Sequence, residues 1–380
     1  MNSPFSKVFF YCYPPKQRGD GSYHKAYHYY QHASVVLGEG LKELGIELYS
    51  NVNYWKLSPN QDEYLFQHDP AVTPDDCDIV VFDNIYMLSG TFPENLFHPN
   101  RKYLTVFLDI SDENPGHLSF RPEFRQFDFI FKAHRNQRSW YPSNVHPWMF
   151  GLSHRMLREL EIVPEFHSRK QHLLVNFRHS QHPHTLRQFI RKHYLPKIQT
   201  AFPLDSSVDQ PIDPLVDEAS LDHYTLMQSA QSSGRHFPAY YQRLKQSAAC
   251  ACFGGFFISQ LPQNQSTTIS HNLRRIITKL GLKTNRIIQW DSWRWWESLA
   301  AGCVAFHVDF EKYGFHLPVM PENGVHYIGV DLDNMQASVD RILAEPELLA
   351  KISISGRQWA LENYSPITIA QYFLKTISDN

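Results

Sequence analysis

An α/β protein made of two doubly wound units in series is the fold this sequence predicts, and three observations carry that expectation. Apolar runs with strand character alternate with helical periodicity from end to end, the rhythm of parallel sheets covered by helices on both faces. At 380 residues the chain suggests two domains of roughly 100–200 residues each. The rhythm restarts near Gln171, after a stretch of about 150–170 without a strong strand pattern, which is the expected hinge.

The first strand runs from about Lys7 to Tyr13, VFFYCY flanked by turn residues, and the polar loop PPKQRGDGS follows it. A helix is expected over Tyr23–Leu44, because Tyr30, Ala33, Leu37, Leu41 and Leu44 recur at spacings of three and four. Gly45 stands just past the last periodic residue, where helices commonly end. Further strands are expected at Glu47–Tyr49, Ile79–Phe82, Tyr103–Leu108 and Phe127–Lys132.

The second unit opens with the strand HLLVNF, centred on Val175. The loop RHSQHPH leads to a helix from about Thr185, and a Pro/Asp/Ser-rich loop covers Phe202–Ser220. Next come a helix at Pro238–Ala248, the apolar run Ala249–Ile258, a strand at Arg286–Gln289 and a helix at Trp293–Ala301. Strands at Val304–Val308 and Tyr327–Val330 precede closing helices at Met335–Ala344, with an extension, and Pro366–Ile377. Ligands of such sheets bind outside the carboxyl ends of the strands. That places the loops after Tyr13, Leu108, Phe177 and Gln289 at the expected site.

Composition narrows the classes of function. The chain is 42% hydrophobic and 14% aromatic, which supports a large core and excludes disorder over most of its length. Lys+Arg number 36 against 38 Asp+Glu, so a net charge of −2 gives no broad attraction to nucleic acid or an anionic membrane. No run approaches the ~20 apolar residues of a membrane span. The N-terminal apolar run stops at two prolines and lacks the features of a secretory signal. Cys12, Cys77, Cys250, Cys252 and Cys303 form no disulfide framework, and a reduced, cytoplasmic protein is expected. No G-x-G-x-x-G or Walker pattern occurs, so dehydrogenase and ATPase readings have no support.

Chemistry concentrates in WDSWRWWESLAAGCVAFHV, residues 290–308. Arg294 and Glu297 stand three apart at a helix start and share a face. A helix N-terminus at a strand's carboxyl end offers free N–H groups and a positive dipole end to phosphate. A carboxylate just inside that helix can accept hydrogen bonds from vicinal ribose hydroxyls. The plainer alternative is a solvated surface pair.

The segment RWWESLAAGCVAF resembles the R-x-x-E-x-L-A-x-G-C-x-P-x stretch in the C-terminal domain of GT-B-fold glycosyltransferases, closest to the exostosin-like and family-1-like bacterial enzymes. YYQRLKQSAACACFGG, LPVMPENGVHYIGVDLDN and NYSPITIAQYFLKTI are similar to further segments of those families, so the resemblance spans Tyr240 to the end. It implies an N-terminal acceptor-side unit over 1–160, a nucleotide-sugar unit over 171–364, and a final helix at 365–380 crossing back to the first. It further implies metal-independent transfer of a sugar from a nucleotide diphosphate-sugar, UDP being the commonest nucleotide in the resembling families. No cofactor is implied beyond that co-substrate. Carried over by position, Glu297 would hold the ribose, and Arg294 with the amides around Ser292 would contact phosphate. Retaining members commonly show E-x7-E. Gln289 stands at the earlier position here, which leaves the stereochemical outcome open. Arg178 is the expected diphosphate arginine, with Arg187 second and Lys132 and Arg135 behind it.

An inverting transfer needs a base within reach of the acceptor hydroxyl. Asp20 in RGDGS, His24 with His28 one turn on, and Asp109 at the end of YLTVFLD are the candidates; each can equally be a cap or turn former. His179, His182 and His184 match no zinc spacing, and no metal is expected. Trp293 and Trp296 read more readily as core than as a stacking platform. The partners expected are thus a nucleotide-sugar donor and a hydroxyl acceptor, without nucleic acid. Two other readings stay open, a sugar-nucleotide 2-epimerase of the same fold and a non-catalytic nucleotide-sugar binder or scaffold.

Overall fold

The computed structural model describes residues 4–13, 30–89, 92–111, 122–177, 185–207, 221–232, 234, 238–257 and 287–379. The first unit runs β1 (Lys7–Phe10), α1 (His32–Glu43), β2 (Glu47–Ser50), β3 (Tyr54–Lys56), β4 (Tyr64–Phe66), β5 (Ile79–Asp83), β6 (Leu104–Asp109), β7 (Phe129–Lys132) and β8 (Val145–Pro147). Its six-stranded sheet has the order β2-β1-β5-β6-β7-β8, and every neighbouring pair is parallel. β3 and β4 form a separate antiparallel pair that the sequence reading missed. The expected helix Tyr23–Leu44 is realised as α1 over His32–Glu43, and residues 14–29 lie outside the described part.

The connection carries α2 (His154–Glu159), capped by Ser153. The second unit runs β9 (Lys170–Leu174), α3 (Thr185–His193), α4 (Leu195–Ile198), β10 (Leu204–Asp205), α5 (His223–Gln231), α6 (Pro238–Gln246), β11 (Ser247–Ala251), β12 (Phe256–Phe257), β13 (Ile287–Ile288), α7 (Trp293–Ala300), β14 (Val304–Val308), α8 (Phe310–Tyr313), β15 (Ile328–Val330), α9 (Met335–Ala344), α10 (Leu348–Tyr364) and α11 (Pro366–Ser378). Its sheet, in the order β10-β9-β11-β14-β15, is again wholly parallel. β5, β11 and β14 are buried along their whole length, as parallel strands covered on both faces must be. One expectation needs correcting. The strand expected at Arg286–Gln289 does not join the main sheet; β13 pairs antiparallel with β12. The two form a short ribbon beside the sheet.

The last two helices divide between the units. α10 packs on α7, with Trp359 stacked on Trp296 at 5.9 Å and the Ser353 hydroxyl donating to Gly302 O at 2.6 Å. α11 packs on α1. A Cβ on Gly40 would lie 1.9 Å from the Pro366 carbonyl oxygen, so only glycine allows that approach. The Tyr372 hydroxyl donates to Pro147 O at 3.1 Å, and the Leu152 N–H donates to Tyr364 O at 3.1 Å. The chain therefore returns to the first unit at Tyr364–Pro366.

Candidate functional site

In each sheet the strand order reverses beside the first strand, between β1 and β5 and between β9 and β11. Crevices at such points, outside the strands' carboxyl ends, are where doubly wound sheets hold ligands. The second crevice gathers most of the residues singled out from the sequence. Val175–Phe177 follow β9, Cys252–Gly255 follow β11, and the N-terminus of α7 faces them. Arg294 reaches across, its Nε donating to Asn176 Oδ1 at 2.8 Å and its Nη2 to Asn176 O at 3.3 Å. From α3, Arg187 donates through Nε to Phe253 O at 3.1 Å, with its guanidinium 5.9 Å from the Phe177 ring centre.

The glycines here are a steric requirement. A Cβ on Gly254 would lie 2.4 Å from Gln289 O, and one on Gly255 2.0 Å from Gln289 Oε1. Gln289 itself is in the left-handed region at φ 54°, and its carbonyl accepts the Gly255 N–H at 2.9 Å. Gln289 thus lies against the β11 loop, half-buried at the crevice. Ser292 is the N-cap of α7 but makes no side-chain cap, so its hydroxyl leaves the first-turn amides to other acceptors.

Glu297 lies on the next turn. It is 2% exposed, and Tyr241 donates its phenol O–H to Glu297 Oε1 at 3.2 Å. The surface-pair alternative for Arg294 and Glu297 is therefore wrong for Glu297. Burial, and after it the Glu297 charge, drive the Tyr241 phenol well above its ordinary value. Tyr30 of the first unit and Arg155 of α2 are within electrostatic reach of this Tyr241–Glu297 group. Tyr30 stacks on Trp55 at 5.4 Å and on Trp293 at 6.2 Å, so aromatic rings of both units close over this part of α7.

Asp291, two residues beyond Gln289, is held from both units. Its carboxylate accepts the Phe150 N–H at 2.9 Å and the Trp296 indole N–H at 2.7 Å. Its own N–H donates to His134 Nδ1, beyond β7, at 3.1 Å. Burial raises its carboxyl to about 6, against the lowering effect of His134 and these hydrogen bonds.

The acceptor-side candidates fare differently. Asp20 and His24 lie outside the described residues, as does Arg178. Asp109 is fully buried. Lys132 Nζ donates to its Oδ2 at 2.7 Å, and Ser111 donates to Oδ1 through both N–H, at 2.9 Å, and hydroxyl, at 2.5 Å. In this geometry the carboxylate is committed to a buried ion pair with Lys132. Asp83, missed from the sequence, stands at the first sheet's reversal. It accepts from the Ser34 hydroxyl and Gln31 Nε2, each at 2.8 Å, and from the N–H groups of Ile85 and Tyr86 at 2.9 and 3.0 Å. IVVFD carries the same signal, an aspartate ending an apolar strand, that drew attention to YLTVFLD.

No protein-family model matches the chain, and no curated protein does. Solved structures do. An alpha-glucosyltransferase in complex with UDP and a 13-mer DNA containing a central A:G mismatch aligns over 98% of this chain and 100% of its own, at 10% identity and a TM-score of 0.50. AviGT4, a glycosyltransferase involved in avilamycin A biosynthesis, aligns over 99% and 97% at 13% identity and a TM-score of 0.46. Anabaena HepE in complex with UDP and glucose aligns over 99% and 100% at 10% identity and a TM-score of 0.42. The first of these likenesses establishes the fold. The chain has the GT-B architecture, two Rossmann-like units each built on a wholly parallel sheet whose strand order reverses beside its first strand.

Proposed function

We propose that the protein transfers a sugar from a nucleoside diphosphate-sugar to a hydroxyl acceptor, with the donor bound in the crevice of the second unit. The observation that carries this reading is the convergence of Arg294, Arg187 and the start of α7 on the β9–β11 reversal. Two guanidiniums and a helix N-terminus suit a diphosphate and the charge that develops on it as the sugar leaves. UDP is the first nucleotide to test, because the similar alpha-glucosyltransferase was solved with it. With arginines supplying the positive charge, turnover is expected to survive EDTA.

Glu297 is the proposed ribose acceptor. It is buried where the units meet, so admitting a nucleoside requires them to part and then close over it. A non-catalytic binder is the competing reading, and one pair of observations favours it: Gln289 stands where retaining relatives carry glutamate, and Asp109 is locked to Lys132. A thermal-shift screen over UDP, GDP, ADP, CMP, dTDP and their sugar conjugates tests the donor site, since a ligand of the native state raises its apparent stability. A selective rise supports it, and no rise with any nucleotide contradicts it. Release of nucleoside diphosphate from the selected donor then separates a transferase from a binder.

A further inference from the structure

Arg135 follows β7 on a loop that crosses from the first unit to the second. The backbone around it is fixed: Gln137 N–H donates to Gly314 O at 2.7 Å, Asn136 Nδ2 to Tyr313 O at 2.9 Å, and His316 N–H to Arg135 O at 3.0 Å. The guanidinium carbon lies 5.0 Å from the Tyr141 ring centre. Its Nε is buried and has no hydrogen-bond partner, and among the described residues no carboxylate pairs with it. The other cations on this face are engaged. Lys312 pairs with Asp331 at 2.5 Å and with Asp333 at 3.1 Å, and Arg138 donates to Lys312 O.

Three further elements place side chains within electrostatic reach of Arg135: His146 on β8, His316 after α8 and Tyr372 on α11, each half-buried. A guanidinium partly withdrawn from water without a counter-ion has lost hydration and recovered no ion pair. Burial first, and then the Arg135 charge, hold both imidazoles below their ordinary value. Among the described residues no acid balances the cluster; the other titratable groups facing Arg135 there are the Tyr141 and Tyr372 phenols.

We propose that Arg135, His146 and His316 form a binding site for a phosphate-type oxyanion at the junction of the first unit, the second unit and α11. A planar guanidinium donates to such an anion as a fork, and each imidazole adds an N–H once protonated. The site is separate from the proposed diphosphate crevice, which is built by Arg187 and Arg294 on the second sheet. Because the anion favours the imidazolium forms, binding takes up protons and strengthens as pH falls through the histidine range. An occupant touches loops of both units and so stabilises one relative placement of them.

The test is a titration of the full chain with inorganic phosphate, read by the NMR signals of the histidine rings, assigned with His146→Gln and His316→Gln. Saturable movement of both signals is expected, with midpoints rising by roughly one pH unit. The response is expected to vanish in Arg135→Gln and to persist in Arg294→Gln, which disables the crevice instead. Should Arg135→Gln fail to fold, Arg135→Lys keeps the charge without the fork and is expected to bind phosphate about tenfold more weakly. A phosphate monoester run in parallel distinguishes a ligand-borne phosphoryl group from the free ion, and the tighter of the two names the source. Unmoved imidazoles, an unchanged response in the Arg135 variant, or an equal response to chloride at matched ionic strength overturns the proposal.

Discussion

Asp109 and Asp291 show how burial decides what a carboxylate can do. Asp109 and Lys132 are both fully buried and paired at 2.7 Å, so removing one partner strands the other charge in the core. Asp109→Ala is expected to cost roughly 3–5 kcal/mol in urea denaturation, and a variant as stable as wild type would contradict the pairing. Asp291 has the opposite pH logic from an ordinary salt-bridged aspartate, since its carboxyl is raised from 3.8 to about 6. The folded state then holds the proton more tightly than the unfolded chain. The stability this contributes is present below the unfolded value and is lost as pH rises through about 6, an effect on the order of 3 kcal/mol. Glu39, raised to about 7 by burial, acts in the same direction, so the informative comparison is wild type against Asp291→Asn between pH 4 and pH 7. The variant is expected to lose part of the decline; an identical slope would remove Asp291 from the account. Arg294, Gln289 and Ser292 were legible from the sequence because their spacing ties them to one helix start. Asp291 was not, because its partners Phe150 and His134 are distant in sequence and only folding brings them to it.

Elements with their own periodicity were legible, and those that depend on a neighbour were not. α1, β5, β6, β7, β9, α7 and β14 have their own apolar runs or faces, and the expected ranges meet the observed ones to within a few residues outside the start of α1. β12 and β13 are two residues each, and an apolar pair cannot declare whether it joins a parallel sheet or an antiparallel ribbon. The glycines at close contacts turn this into predictions. Gly40→Ala sets a methyl against the Pro366 carbonyl at the α1–α11 contact and is expected to cost about 1–3 kcal/mol. Unchanged stability would mean that α11 is not seated there. Gly255→Ala displaces the Gln289 side chain at the crevice and is expected to weaken nucleotide binding more than folding, measured by calorimetry alongside urea denaturation.

At the scale of the whole molecule, the two-unit architecture followed from a rhythm that restarts, whereas the contacts between the units left no pattern in the sequence. One of them is a two-way clasp: Lys56 N–H donates to Gln231 Oε1 at 2.6 Å and Gln231 Nε2 donates back to Lys56 O at 2.9 Å, tying β3 to α5. Glu297 is buried where the units meet, so under the proposed function nucleotide entry requires the units to move. The central claim is that the crevice of the second unit holds a nucleoside diphosphate through Arg294 and Glu297. Calorimetric titration of the full chain with UDP, comparing wild type, Arg294→Gln, Glu297→Ala and Arg135→Gln, tests it most directly. Saturable binding by wild type is expected, with at least tenfold loss in the first two variants, about 1.4 kcal/mol or more each, and little change in the third. Folded Arg294→Gln and Glu297→Ala proteins that bind UDP as tightly as wild type would contradict it.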